Sequence, residues 1–240
     1  MAFMIPEQIS PDTESKAEIK TFKKFQKEFD DSWTIFHSFS MQGKNREGKL
    51  IDSEADFVLF HREHGMLVLE IKGGVVEFDG RGKCFQNNKE ISSPEFQAKM
   101  NRYNLRDLLT RRMNGDPQIK LAHAVYFPDT YQDINKFPPA YENMAFTRND
   151  TPYIEESIKG LLSKKITSRD KEMSEGLAKA VISSLSPKLS TGNSMLDKIG
   201  RNEDTFNVLT EIQAQLLKFI SRYKHAMIEG GAGTGNYTCY

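Results

Sequence analysis

Two hydrophobic periods alternate along the chain. Residues 13–30, TESKAEIKTFKKFQKEFD, place Phe22, Phe25 and Phe29 at i, i+3 and i+7 with charges between them, which predicts an amphipathic helix. Shorter runs rich in β-branched and aromatic residues follow: WTIFHSF (33–39), ADFVLFH (55–61), MLVLEIK (66–72), VVEF (75–78) and a weaker CFQNNKEI (84–91). Glycines at 43, 48, 65, 73, 74, 80 and 82 separate these predicted strands as turns. Ser93-Pro94 then opens a second helix, about 94–113, with Ser93 as N-cap and Pro94 at the first helical position. IKLAHAVYF (119–127) reads as a further strand. The order helix, strands, helix, strand predicts an α/β domain over 1–150. Helices at 153–164 and 168–185 and a Ser/Pro/Gly-rich stretch at 183–194 read as a helical extension and linker over 151–204. A third segment, 205–240, carries a helix near 210–223, a short strand HAMIE (225–229) and the glycine-rich GGAGTG.

Polar residues inside the apolar patterns are the informative ones. In MLVLEIKGG, Leu67, Leu69 and Ile71 fall on one face of the strand, and Met66, Val68, Glu70 and Lys72 on the other. Both faces are apolar, as in a central strand buried on two sides, so a carboxylate and an ammonium there need each other, an ion or a ligand. Asp56 shares a face with Val58 and Phe60 in the preceding strand, and a turn at His61–Gly65 makes the two strands an antiparallel pair that brings Asp56 toward Glu70. At helical spacing Glu18 falls within the arc of Phe22, Phe25 and Phe29. On the second helix, Gln97 lies opposite the basic stripe Lys99, Arg102 and Arg106 and therefore faces inward.

Three acids, a lysine and a glutamine facing inward suggest a divalent cation, Mg2+ or Mn2+, held by hard carboxylate oxygens beside a phosphate substrate. The plainer alternative for Glu70 and Lys72 is an ion pair across the sheet. For Glu18 or Gln97 taken singly it is a helix-edge residue reaching water.

Composition narrows the partners. In 240 residues, 33 basic side chains balance 33 acidic ones, so any nucleic acid would be recognised at a local site rather than by bulk charge. No apolar run approaches the roughly 20 residues that span a bilayer. The start, MAFMIPEQISPD, has no signal-peptide pattern, and Cys84 and Cys239 offer no disulfide framework. A cytoplasmic protein without a membrane partner is expected. His61 and His64 read as turn residues rather than zinc ligands, Cys84 as a small buried residue, and Lys99, Arg102 and Arg106 as a solvated outer face.

Asp56, thirteen residues, then Glu70-Ile71-Lys72 resembles the D…ExK core of the PD-(D/E)xK restriction-endonuclease-like superfamily. ESKAE, EADFVLFHREHGMLVLEIKGG and SSPEFQAKMNRYNLRDLL resemble, more closely, the NERD (nuclease-related) domain over about residues 14–127. The resemblance implies a mixed central sheet flanked by helices and a metal-dependent nuclease acting on DNA, with RNA as the other polymer of the same chemistry. It places the site on Glu18, Asp56, Glu70, Lys72 and Gln97, with Asp56, Glu70 and Glu18 toward the metal. The alternative is a DNA-binding or regulatory module that does not cleave.

LTEIQAQLL and HAMIEGGAGTG resemble the start of a UvrD-like superfamily 1 DNA helicase. This resemblance implies an adenine-reading role for Gln213 and a Walker A beginning at Gly230, Gly233 and Gly235. Asn236 and Tyr237 stand where that loop needs Lys and Ser or Thr, so ATP hydrolysis by this segment is not expected. A truncated or frame-disrupted relative of a longer nuclease-helicase is the expectation for the chain as a whole.

Overall fold

A computed structural model describes residues 1–44, 50–79, 81–131, 137–164 and 173–186. The chain divides into two units, Met1–Ile9 with Thr13–Ile182, and Ser10–Asp12 with Ser183–Tyr240. The second lies almost wholly outside the described residues, as do the linker after residue 186 and the whole of 205–240.

The first unit is a six-stranded mixed sheet with helices on both faces. The strands are β1 (Phe3–Ile5), β2 (Trp33–Lys44), β3 (Leu50–His61), β4 (Gly65–Ile71), β8 (Leu121–Phe127) and β9 (Ala145–Thr147), hydrogen-bonded in the order β1-β2-β3-β4-β8-β9. β2, β3 and β4 are antiparallel neighbours, whereas β4, β8 and β9 run parallel. A small antiparallel sheet of β5 (Val76–Phe78), β6 (Cys84–Gln86) and β7 (Lys89–Ile91) is inserted after β4 and before the helix that begins at Pro94. The mixed α/β architecture expected from the sequence is the observed one.

Helix α1 (Lys16–Glu28) covers one face. Ser15 caps it, its hydroxyl accepting the Glu18 N–H at 3.3 Å. The predicted phenylalanine stripe is buried: Phe22, Phe25 and Phe29 pack with Trp33, Ile35, Phe57, Leu59, Leu67 and Leu69. Each such ring contributes on the order of 1.5–3 kcal/mol by leaving water. Helix α3 (Ile154–Lys164) adds Ile154, Ile158, Leu161 and Leu162 to the same cluster, and Trp33 Nε1 donates to Glu155 Oε1 at 2.9 Å. Residues 154–164 are thus built into the sheet's core. Helix α4 (Glu175–Leu185) follows.

Helix α2 (Pro94–Arg112) covers the other face, with Ser93 as its N-cap and Pro94 in the first turn, as the sequence predicts. Ala98 packs there with Val76, Cys84, Val125 and Phe127. β4 lies between the two helical layers and every residue from Gly65 to Ile71 is buried. Among the described residues no helix is long and apolar enough to cross a membrane.

Candidate active site

Alternation along β4 decides which way its polar residues point. Leu67, Leu69 and Ile71 enter the α1 cluster, so Glu70 points to the α2 side, where its partner in the parallel ladder is Val125. Glu70 is only 4% exposed. Lys72 follows the last strand residue, and its Nζ lies 2.6 Å from Glu70 Oε1. The plainer alternative for Glu70 and Lys72, an ion pair, is present, joining two residues at the end of one strand rather than crossing the sheet.

The hairpin turn also behaves as expected: His61 pairs with Gly65 and Phe57 with Leu69, so Asp56 and Glu70 occupy the next rung. At that rung the backbone ladder gives way to a side chain, for Asp56 Oδ2 accepts the Ile71 N–H at 2.7 Å. The strand on Asp56's other side is irregular at the same level. Ser38, which the β2–β3 register sets opposite Asp56, has φ of 50°, a left-handed conformation uncommon outside glycine. Asp56 therefore sits where both neighbouring strands depart from regular pairing.

Glu18 belongs to the α1 layer and reaches the cluster because the helix's first turn crosses the end of β4. The contact depends on a glycine: a Cβ at Gly73 would stand 2.5 Å from Ala17 Cβ. Glu18 Oε2 lies 3.3 Å from His37 Nε2, and His37 is buried between Phe22 and Phe57. His37 is a participant that sequence reasoning missed. The signal was a lone histidine inside the apolar strand WTIFHSF, but its partner lies on another element.

Four charged groups thus act on one another. Burial raises the Asp56 carboxyl well above the usual range, and the Glu70 and Glu18 charges raise it further against the Ile71 N–H and Lys72. Burial likewise raises Glu70, more than Lys72 lowers it. Burial opposes the charge of Lys72, yet Glu70, Asp56 and Glu18 outweigh it and hold the ammonium above its ordinary value. For Glu18, burial is outweighed by hydrogen bonds to His37 and Ser15 and by the positive charge of Lys72, leaving it lowered. One acid is held as the anion while two crowded acids resist ionising together.

Gln97 is related to this site by face. Its neighbour Ala98 belongs to the same core cluster as Val125, the rung partner of Glu70. Its Oε1 is buried without a hydrogen-bond partner, an unpaired acceptor that a donor from a ligand or water would satisfy. The outer residues of α2 have other partners: Arg106 grips Asp116 with two contacts of 3.0 Å, Lys99 lies 3.9 Å from Glu95, and Arg102 stacks over Tyr103. His61 accepts the N–H groups of Glu63 and His64 and packs on Trp33, a structural role. Burial pushes the Cys84 thiol up to about 11, so it is an inert core residue. Gln213, Gly230, Gly233 and Gly235 lie outside the described residues.

The six-stranded mixed sheet flanked by helices, with carboxylates and a lysine at the carboxyl end of β4, is consistent with a nuclease-like α/β fold. The comparison with protein families agrees: residues 13–128, from just before α1 to the end of β8, match the model described as NERD, nuclease-related domain. Glu18, Asp56, Glu70, Lys72 and Gln97 all fall inside it. No curated protein and no solved structure matches the chain.

Proposed function

We propose that this domain hydrolyses phosphodiester bonds in DNA with the help of Mg2+ or Mn2+, on a sheet of the PD-(D/E)xK kind. The observation that carries this reading is the convergence of Asp56, Glu70, Lys72 and Glu18 in one electrostatic cluster at the end of β4. The donor set fits a hard cation: Asp56 and Glu70 are oxygen ligands whose mutual repulsion a divalent charge would relieve, and magnesium uses one or two carboxylates with water and phosphate. Glu18 would support that shell. When bound, the cation would polarise the phosphate and stabilise developing negative charge.

The chain's own residues supply the rest. Lys72 retains its proton, so it orients the attacking water and offsets charge on the phosphate. His37 keeps Glu18 directed at the cluster. Gln97 Oε1 would accept a hydrogen bond from the water or from Lys72. Residues 205–240 would belong to a helicase that this domain serves in DNA processing, repair or defence, within the cytoplasm.

Incubation with circular and linear DNA in Mg2+, Mn2+ and EDTA tests the reading. Cation-dependent cleavage is expected, and intact DNA under all three conditions would refute it. The competing reading is a DNA-binding module that does not cleave. One observation favours it: among the described residues, no three His, Cys, Asp or Glu side chains are grouped so as to hold a metal ion. Salt-dependent DNA binding indifferent to Asp56 and Glu70 would establish that alternative.

A further inference from the structure

A second constellation lies beside the charged cluster, outside the segment matched by the family model. β4, β8 and β9 are parallel, so their carboxyl ends face one edge, the side on which open α/β sheets bind ligands. The loops there are tied together. Lys72 N donates to Tyr126 O at 3.0 Å, Gly74 N to Asp129 Oδ2 at 3.0 Å, and Arg148 N to Thr130 O at 2.8 Å. The chain after β8 and the turn after β9 therefore flank the residues that follow Lys72. On this rim Tyr131 is 65% exposed, and the Arg148 guanidinium carbon lies 4.3 Å from its ring centroid.

We propose that Tyr131 and Arg148 form a stacking platform for an unpaired base of the nucleic-acid strand entering the site. The inference rests on the nucleic-acid reading above and adds the state of the strand. The guanidinium of Arg148 covers one face of the Tyr131 ring and backs it with positive charge, and the opposite, exposed face is the flat apolar surface on which a base can stack. Bases inside a duplex already stack on each other, so the platform selects single strands or frayed ends. Arg148 is well placed to be rigid. It opens the short 3-10 helix Arg148–Tyr153, where Thr147 accepts the Asn149 N–H and Asp150 accepts the Thr147 N–H at 2.7 Å. Lys20, 3.2 Å from Asp129, adds a second cation to this rim; Asp129 and Asp150 balance Lys20 and Arg148, so the platform holds a strand by stacking rather than by net charge.

The test measures binding without cleavage. The 240-residue chain in EDTA is titrated into single-stranded DNA, single-stranded RNA and blunt duplex DNA, each carrying 2-aminopurine, whose fluorescence is quenched by stacking. The expected result is quenching with a single strand, DNA or RNA, and about ten-fold weaker single-strand binding by Tyr131→Ala. Tyr131→Phe, which keeps the ring, should retain wild-type binding, and duplex affinity should be unmoved by either change. Tyr103→Ala, at another arginine-stacked tyrosine, is the control and should bind as wild type. Wild-type affinity in Tyr131→Ala, equal losses for single strands and duplex, or an equal loss in Tyr103→Ala would overturn the proposal. Cleavage is read separately: loss of cleavage in Asp56→Ala with binding indifferent to Tyr131 overturns the platform alone. Cleavage indifferent to Asp56 overturns the catalytic assignment alone.

Discussion

Lys72 Nζ lies 2.6 Å from Glu70 Oε1, joining two residues that leave the end of the same buried strand on its α2 side. An ion pair with one partner almost fully buried is maintained only as a pair, because either charge alone would be desolvated without compensation. Lys72→Met should therefore leave Glu70 uncompensated beside Asp56 and Glu18. The variant is expected to lose about 3 kcal/mol of stability, read by urea denaturation. Lys72→Met together with Glu70→Gln should recover much of that loss, whereas equal stability of Lys72→Met and wild type would mean that the pair carries no structural weight.

Asp56 is expected to destabilise the cation-free protein. Its carboxyl is raised above the ordinary range, first by burial and then by Glu70 and Glu18, so the folded protein binds this proton more tightly than the unfolded chain. The associated stability is present below the unfolded value and is lost as pH rises through the raised one. Asp56→Asn keeps an acceptor for the Ile71 N–H and removes the titration. In EDTA it should be more stable than wild type at neutral pH, by about 1 kcal/mol or a few degrees in Tm, with the gap closing below about pH 4. Mg2+ or Mn2+ should raise the Tm of wild type and not of the variant, and the cation's affinity should increase with pH as Asp56 and Glu70 ionise.

Gly73 tests how Glu18 is delivered. Its added Cβ would meet Ala17 Cβ at 2.5 Å, so Gly73→Ala must push the first turn of α1 away from the end of β4. A loss of about 1–3 kcal/mol is expected, with a larger proportional fall in cleavage than the Tm change explains. Ala17→Gly introduced alongside should restore part of both losses by removing the opposing methyl group.

His37 isolates the role of Glu18. The imidazole sits between Phe22 and Phe57, and an apolar ring fits that space. His37→Phe should fold with a Tm near that of wild type. Glu18 would lose a hydrogen-bond partner and titrate at a higher pH, visible as a raised carboxyl pKa by NMR. Unchanged Glu18 titration would show that His37 does not hold it.

Long repeating patterns were legible in the sequence, and short or cross-element features were not. The α1 phenylalanines and the uninterrupted apolar run of β4 announce themselves, and the turn at His61–Gly65 sets the register that aligns Asp56 with Glu70. β1 and β9 have three residues each, too few for a period-two signal. The run 84–91 read as one strand is two, β6 and β7, turning at Asn87 and Asn88 with φ of 50° and 65°, a turn made without glycine. Helix α3 read as an extension because amphipathicity reveals that a face is buried, not which surface buries it. At the site, polar residues in apolar runs marked Asp56, Glu70 and Lys72. His37 could not be assigned from the chain, since its role depends on Glu18, nineteen positions away on another element.

Cleavage of circular DNA by wild type, Asp56→Ala and Lys72→Ala, compared at equal folded concentration in Mn2+ and in EDTA, addresses the central claim most directly. Manganese-dependent nicking or linearisation by wild type, reduced at least about a hundred-fold in each variant, is the predicted result. Manganese-dependent cleavage retained at the wild-type rate by either variant would contradict the assignment of that residue, and retention by both would remove the cluster from the chemistry.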